Sequence, residues 1–315
     1  MNVLVTSSSS KVLLVKGFIS AAADYGAKIF TGDTTNEVAT AFVGDKHFVL
    51  PRTSDRNIFI EQLAHICEIY GIKLIVPTRD GELSIMSDIK DGFAENGITI
   101  LVPSKEAIEI CLNKRMFSEF LNDIGLNPVP VIDDLSLVNP PYFIRPVYGA
   151  SSIGVKTADT HEEAKLFMNS DFLVHPFIDS DEFSIDLLMD LQGEKALQAV
   201  CRQRVLVIGG ESKISRTIDI PVLEQACLKI GQRLGLVGHN VLQAFYSEDL
   251  GVIMIEANAR FGGASNLSIN AGLNSPVRIM KMLVGDESAY DNEDIKFGLS
   301  MYRYSEDIIY EGDTN

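Results

Sequence analysis

Apolar and polar positions alternate along this chain with two different periods, and the change from one to the other divides it. Residues 2–5 (NVLV) are a short apolar run that stops at a polar turn, TSSSS. Helical spacing follows over 11–25 and is closed by Gly26, and AKIFTGD (27–33) reads as a second strand ending in Asp33. DKHFVLP (45–51) is a third short piece. Over 55–70 the residues Phe59, Leu63, Ile66, Cys67 and Tyr70 fall on one helical stripe that Gly71 ends. KLIVPT (73–78) has the continuous apolar character of a strand buried on both faces. A helix over 81–96 and the run ITILVPS (98–104) complete the series. Strands alternating with helices predict a parallel sheet covered on both sides, so residues 1–104 are expected to form a doubly wound α/β unit.

The pattern then changes. Residues 105–125 are helical in one or two pieces, with Ser104 as N-cap and Gly125 as stop, and NPVP (127–130) enforces a break. From 142 to about 260 short strands dominate, among them YFIRPV, FLVHPF, EFSIDLLMD, VLQAFYSE and GVIMIEANAR, interrupted by a helix at 221–234. A last helix is expected at 276–284, followed by a loosely held acidic tail after Gly285.

Composition narrows the function. The 315 residues are 46% hydrophobic, enough for sizeable cores, and carry 27 basic against 43 acidic side chains for a formal charge of −16. Such a surface repels nucleic-acid phosphates, so no nucleic-acid partner is expected. Cys67, Cys111, Cys201 and Cys227 form no C-x-x-C pair and lie in apolar runs, as buried thiols of a reducing compartment do. No apolar stretch approaches the ~20 residues of a membrane span, and the N-terminus lacks a signal-peptide pattern. The expectation is a soluble cytoplasmic protein with no membrane partner.

Three segments carry chemistry. The first strand-to-helix turn, Thr6–Lys11, has no glycines, which argues against a dinucleotide fingerprint; its serines serve either a substrate or a polar turn. In Arg145-Pro146-Val147-Tyr148-Gly149-Ala150-Ser151-Ser152-Ile153-Gly154, a strand ends in a fixed cation and runs into a small flexible loop. Such a loop is either a plain turn or a lid whose amides close over phosphate oxygens. In Ile255-Glu256-Ala257-Asn258-Ala259-Arg260, period-two alternation puts Glu256, Asn258 and Arg260 on one face. A carboxylate beside an amide oxygen suits Mg²⁺, and the guanidinium suits a phosphoryl group. SEDLGV reads as the turn of a hairpin that brings Gln243 across from Glu256, as a further ligand or a solvent-facing amide. Glu82, in RDGE at the end of an α/β strand, is a candidate for holding substrate or for capping a helix. Arg204 is a candidate for a substrate carboxylate or for a surface ion pair.

Taken in order, these segments resemble the ATP-grasp superfamily, most of all members similar to the large subunit of carbamoyl phosphate synthetase. The resemblance implies a pre-ATP-grasp Rossmann-like α/β domain (1–104) and a two-lobed α+β clasp. Its first lobe would span 105–175 with the Gly/Ser phosphate loop, and its C-terminal lobe 176–315 with the metal-binding strands. It implies that Lys114 (in NKRMF) and Arg145 contact ATP phosphates and that Gly149, Ser151, Ser152 and Gly154 cover them. It further implies that His175 and Phe177 lie at the adenine hinge and that Glu182 binds ribose hydroxyls. Gln243, Glu256 and Asn258 would hold Mg²⁺, with Mn²⁺ as a substitute, and Arg260 with Arg145 would stabilise the transferring phosphoryl group. His175-Pro176 departs from the usual Gln-Glu, and a neutral Gln243 weakens any second metal site. The implied activity is an ATP- and Mg²⁺-dependent ligase that activates a small carboxylate, such as an amino acid, for attack by an amine. The alternatives are a carboxylase-type reaction and a non-catalytic nucleotide sensor or partner subunit. ATP, a carboxylate and an amine are the expected partners, with a homodimer through the first domain as the candidate assembly.

Overall fold

The computed structural model describes residues 1–149 and 152–311. The first domain is built from β1 (Asn2–Thr6), α1 (Val12–Ala22), β2 (Ile29–Asp33), β3 (Lys46–Val49), α2 (Arg56–Tyr70), β4 (Ile72–Pro77), α3 (Asp80–Ala94) and β5 (Thr99–Ile100). The five strands are parallel in the order β3-β2-β1-β4-β5. Val3, Leu4 and Val5 of the central strand are wholly buried, as a strand covered on both faces requires. The order reverses at β1, so the turns after β1 and β4 flank the crevice where open α/β sheets receive ligands.

The helical stretch after this domain is two helices, α4 (Lys105–Leu112) and α5 (Lys114–Asp123), joined at Asn113, whose Oδ1 accepts from the amides of Arg115 and Met116 and so caps α5. A small antiparallel sheet follows, made of β6 (Tyr142–Pro146), β7 (Lys156–Ala158) and β8 (Phe172–Pro176) in the order β7-β6-β8, with the short α6 (His161–Lys165) beside it. It has a core of its own, in which Ile132, Tyr142, Ile144, Ala158, Ala164 and Val174 pack together.

The remaining strands are β9 (Glu182–Met189), β10 (Ala196–Ile208), β11 (Glu211–Thr217), β12 (His239–Ser247), β13 (Gly251–Asn258) and β14 (Ser300–Tyr302). They form one antiparallel sheet in the order β13-β12-β9-β10-β11-β14. Helix α7 (Pro221–Leu234) buries Leu223, Ala226, Cys227 and Ile230 in the same core as the odd-numbered residues Phe183, Ile185, Leu187 and Met189 of β9. The approach is close: a Cβ on Gly231 would stand 2.4 Å from Leu187 Cδ2, so a larger residue there would displace that side chain. Alternation therefore turns the even-numbered Glu182, Ser184 and Asp186 to the opposite face.

After β13 come the short α8 (Asn266–Ser268), a π-helical turn (Ile269–Leu273) and α9 (Ser275–Leu283). Residues 286–302 are not the loose segment that the acidity of the tail suggests. The side chains of Arg278 and Gln198 donate to the carbonyls of Ala289 and Glu293, at 2.9 and 2.6 Å, and β14 pairs with β11. Backbone held by side chains from elsewhere in the chain leaves no local hydrophobic signature, so the sequence pattern there is silent.

Candidate functional site

The hairpin expected around residue 250 forms, and its register sets Gln243 directly opposite Glu256 and Val241 opposite Asn258. On the other side of β12, Gln243 lies opposite Ser184 and Phe245 opposite Glu182. These pairings assemble a continuous polar chain across the sheet. NH1 of Arg204 donates to Oε1 of both Glu182 and Gln243. Gln243 Nε2 and Asn258 Nδ2 donate to Oε1 of Glu256 at 2.7 and 3.1 Å. Asn258 Oδ1 accepts from NH2 of Arg260 at 3.0 Å, and Arg260 reaches both oxygens of Asp80 at 2.7 and 2.5 Å. Asp80 is the first residue of α3, so the first domain closes one end of the site.

Two cations face this chain. Lys114 is almost fully buried and donates from Nζ to the carbonyl of Gly149 at 2.7 Å. Arg145 donates from Nε to Nε2 of His175 at 2.9 Å and from NH1 to the carbonyl of Ile255 at 3.1 Å, which ties the small sheet to β13. Both stand within electrostatic reach of Glu256. Burial lowers the Lys114 ammonium from its ordinary value while the Glu256 charge opposes that shift. Burial likewise brings Arg145 down to about 10, again against Glu256. Burial raises the Glu182 carboxyl, and the Arg204 guanidinium counters it.

The loop after Arg145 is held by backbone conformation. Gly149 has φ +137° and Gly154 φ +79°, and a Cβ on Gly154 would meet Pro146 Cγ at 2.9 Å. Ser152 is exposed with φ 56°. Ser151 lies outside the described residues.

The hinge residues differ from the expectation in what they offer. The His175 side chain is fully buried; its Nδ1 donates to the carbonyl of Pro130 at 2.7 Å, so Nε2 is free to accept from Arg145. Burial, reinforced by the Arg145 charge, pushes its pKa down to about 3, which keeps the ring neutral and the acceptor intact. The imidazole therefore positions Arg145. The Phe177 amide is engaged by the carbonyl of Pro141 at 3.1 Å, while its ring is half exposed at the end of β8.

Two candidates had two roles each open in the sequence. Glu82 takes the capping role: it is 2% exposed, and its Oε1 accepts from the amides of Thr78 and Arg79 at 2.8 and 3.3 Å, as a cap of α3. Arg204, almost fully buried, pairs with Glu182 through NH1, and its Nε and NH2 donate to Ser212 and to the carbonyl of Gly210.

A buried cluster beside the site escaped sequence reasoning. Asp186 accepts from Nε of Arg202, from Ser268 at 2.6 Å, from Ser265 at 2.6 Å and from Nε2 of His239 at 2.9 Å. The ring of His239 stacks on Phe261 at 4.2 Å between centroids, one residue past Arg260. Burial alone would raise the Asp186 carboxyl, yet the Arg202 and His239 side chains hold it well below the usual carboxylate range. The only available signal was an acid amid the apolar run of β9, which could not name partners up to 82 residues away.

The amide oxygens of Gln243 and Asn258, the oxygen type that a hard divalent cation takes, here accept from Arg204 and Arg260. Glu256 supplies a carboxylate, and among the described residues only its Oε1 is engaged; Gln243 and Asn258 flank it with amide groups. No group of three or more His, Cys, Asp or Glu side chains that could hold a metal occurs among the described residues, so any metal here relies on those amides. No helix among the described residues is long and apolar enough to cross a membrane.

A parallel α/β domain, a small sheet bearing a Gly/Ser loop and a large antiparallel sheet bearing a carboxylate–amide pair make up an ATP-grasp-like fold with a preceding α/β domain. Comparison with known proteins agrees. Residues 168–305 match the family described as ATP-grasp in the biosynthetic pathway with Ter operon, and residues 3–101 match the PylC-like N-terminal domain. An ATP-grasp model thus matches the C-terminal part of the chain, and a PylC-like model its first domain. No curated protein matches it in sequence. Among solved structures it is similar to the biotin carboxylase complex with βγ-ATP from Campylobacter jejuni, at 14% identity and TM-score 0.73 over 93% of this chain and 73% of that one. It is similar to the biotin carboxylase domain of 2-oxoglutarate carboxylase from Hydrogenobacter thermophilus, solved with MgADP, ADP and bicarbonate (16%, TM-score 0.73, 95% and 73%). It is also similar to L-amino acid ligase from Bacillus licheniformis (16%, TM-score 0.70, 93% and 77%).

Proposed function

We propose that this protein is an ATP- and Mg²⁺-dependent ligase that phosphorylates a small carboxylate and passes the acyl group to an amine, releasing ADP and phosphate. The observation that carries the proposal is the placing of Lys114 and Arg145 within electrostatic reach of Glu256, the carboxylate of the Gln243–Glu256–Asn258–Arg260 chain. Attack of a carboxylate on the γ-phosphate spreads negative charge over the phosphoryl oxygens, and fixed cations in a dry site stabilise it without reorganising. Lys114 and Arg145 reach the phosphates from the first lobe, and Arg260 from the end of β13. His175 keeps Arg145 oriented, as Asp80 does Arg260. Gly149, Ser152 and Gly154, with Ser151, would cover the nucleotide and exclude the water that would hydrolyse an acyl phosphate. The half-exposed Phe177 ring offers an apolar face to adenine, and Glu182 an acceptor to the ribose hydroxyls. Glu256, with the amides of Gln243 and Asn258, would hold Mg²⁺, which supplies charge neutralisation between the phosphates.

ADP release that requires both a carboxylate and an amine is the expected result of an assay over a panel of amino acids. Turnover driven by bicarbonate in place of the carboxylate would instead select a carboxylase-type reaction, the reading that likeness to the two biotin carboxylases favours. Binding of Mg-ATP without turnover on any pair would refute the ligase.

A further inference from the structure

Gln243 has its amide fixed in one orientation by its two neighbours. Its Oε1 accepts from NH1 of Arg204, and its Nε2 donates to Oε1 of Glu256 at 2.7 Å. Turned over, the amide would set N–H against N–H at Arg204 and oxygen against oxygen at Glu256. A guanidinium only donates and a carboxylate only accepts, so the two together exclude that rotamer. The amide oxygen of Gln243 belongs to Arg204 for as long as Arg204 keeps its place.

Three more contacts hold Arg204 there. NH1 also donates to Oε1 of Glu182, Nε to Ser212 Oγ at 3.2 Å, and NH2 to the carbonyl of Gly210 at 2.8 Å. Its side chain is 6% exposed, and withdrawing it would break the ion pair with Glu182 and leave that carboxylate uncompensated. Arg260 is placed differently. It keeps both oxygens of Asp80 when it gives up Asn258, so the Asn258 oxygen can be released to a ligand.

The two oxygens that meet at NH1 of Arg204 come from the neighbouring strands β9 and β12, and one of them is a carboxylate oxygen. Oxygens converging in this way are what a hard cation takes, and here the chain fills the place with a cation of its own. The charge of Glu256 disfavours ionisation of Glu182 and that of Arg204 favours it, so the guanidinium separates and neutralises the two carboxylates.

We infer that Arg204 is a built-in cation standing where a second divalent ion would otherwise bind, so that the site takes a single ion, on Glu256 and Asn258, with Gln243 bracing Glu256 through its N–H. The inference rests on the ligase reading for the ion itself and deepens it. Two-metal sites hold their ions about 3.5–4 Å apart and divide the charge of a displacement between them. In this protein a guanidinium fixed by the fold takes over one of those charges, whatever the Mg²⁺ concentration.

The test counts Mn²⁺ on the full chain saturated with a non-hydrolysable ATP analogue, from the electron paramagnetic resonance of the free ion. The wild type should bind one Mn²⁺ per chain. Arg204→Met frees the oxygens of both Glu182 and Gln243 and should bind two, whereas Arg204→Lys keeps the charge and should stay at one. A merely structural loss would add no ion. Arg204→Gln carries the same expectation as Arg204→Met, should the latter not fold. Two ions on the wild type overturn the inference whether or not the variants fold, and so does a variant without the Arg204 charge that is folded by circular dichroism and still binds one. No Mn²⁺ on the wild type sinks the ligase reading: if Arg204→Met then gains an ion, the part given to Arg204 stands, and if it gains none, both fall.

Discussion

Arg145 and His175 meet at 2.9 Å on neighbouring strands of the small sheet, guanidinium Nε to imidazole Nε2, with the far nitrogen of the ring bonded to Pro130. The pair works only while the ring is neutral. Its pKa is about 3 in the fold against 6.5 unfolded, so between those values the unfolded chain binds the extra proton. Stability from His175 is therefore complete above pH 6.5 and is lost as pH falls toward 3. His175→Gln supplies an amide oxygen to Arg145 and an amide N–H to Pro130, and should keep turnover while flattening the acid limb of the melting-temperature profile. His175→Leu leaves a buried guanidinium N–H unpaired and should lower kcat roughly tenfold to a hundredfold. Equal acid sensitivity of the wild type and His175→Gln would show that the ring is not held neutral.

Glu256 accepts from Gln243 and Asn258 and faces both Lys114 and Arg145. Glu256→Gln keeps the shape and removes the one carboxylate of the proposed metal set. We expect turnover to fall by ~100-fold or more, as loss of a metal ligand does, with the Mg²⁺ concentration for half-maximal rate rising in parallel. Near-normal turnover at ordinary Mg²⁺ would remove Glu256 from the metal site.

How much of this could be read from the sequence follows from the range of each interaction. The parallel domain was legible because alternating strands and helices are local patterns, and the hairpin that pairs Gln243 with Glu256 because period two and a polar turn are local too. The partnership of Arg260 with Asp80 was not, since 180 residues separate them. His175 was expected at an adenine hinge, but that its imidazole holds Arg145 was not legible, because only the pairing of β6 with β8 brings the two together. Glu82 and Arg204 were recognised as candidates from type and position, but whether a charged side chain faces a cleft or a neighbour depends on tertiary packing. The large sheet's Asp186 cluster gave no pattern at all, because its members come from four separate segments.

Glu82 offers a stability test of the opposite sign. Desolvation raises its carboxyl to about 7 from an ordinary 4.5, although backbone hydrogen bonds from Thr78 and Arg79 oppose the shift. Between those values the folded protein holds a proton that the unfolded chain has released, so stability declines as pH rises through this window. Glu82→Gln retains the acceptor for both amides and abolishes the ionisation. The variant should match the wild type near pH 4.5 and exceed it at pH 8, by on the order of 3 kcal/mol. Chemical unfolding at the two pH values measures this, and a difference that does not change with pH would contradict the assignment.

Asp186 joins β9 to the segment that follows Arg260, and its charge is matched by Arg202 inside the protein, where both side chains are at most 2% exposed. Removing one member of a buried pair leaves the other uncompensated. Asp186→Asn should therefore cost about 3 kcal/mol in urea unfolding. The wild-type contribution is complete above the ordinary aspartate value of 3.8 and is lost as acid is taken below it, because the folded carboxyl titrates lower than the unfolded one. Function should suffer as well as stability. Ser265 also accepts from the amide of Gly262, two residues beyond Arg260, and His239 stacks on Phe261, so loosening Asp186 releases the turn that aims Arg260. At a temperature where the variant remains folded, the prediction is a reduced kcat with little change in Mg-ADP affinity. A variant that loses stability and keeps full kcat would confine the cluster to a structural part and leave Asp80 alone to position Arg260.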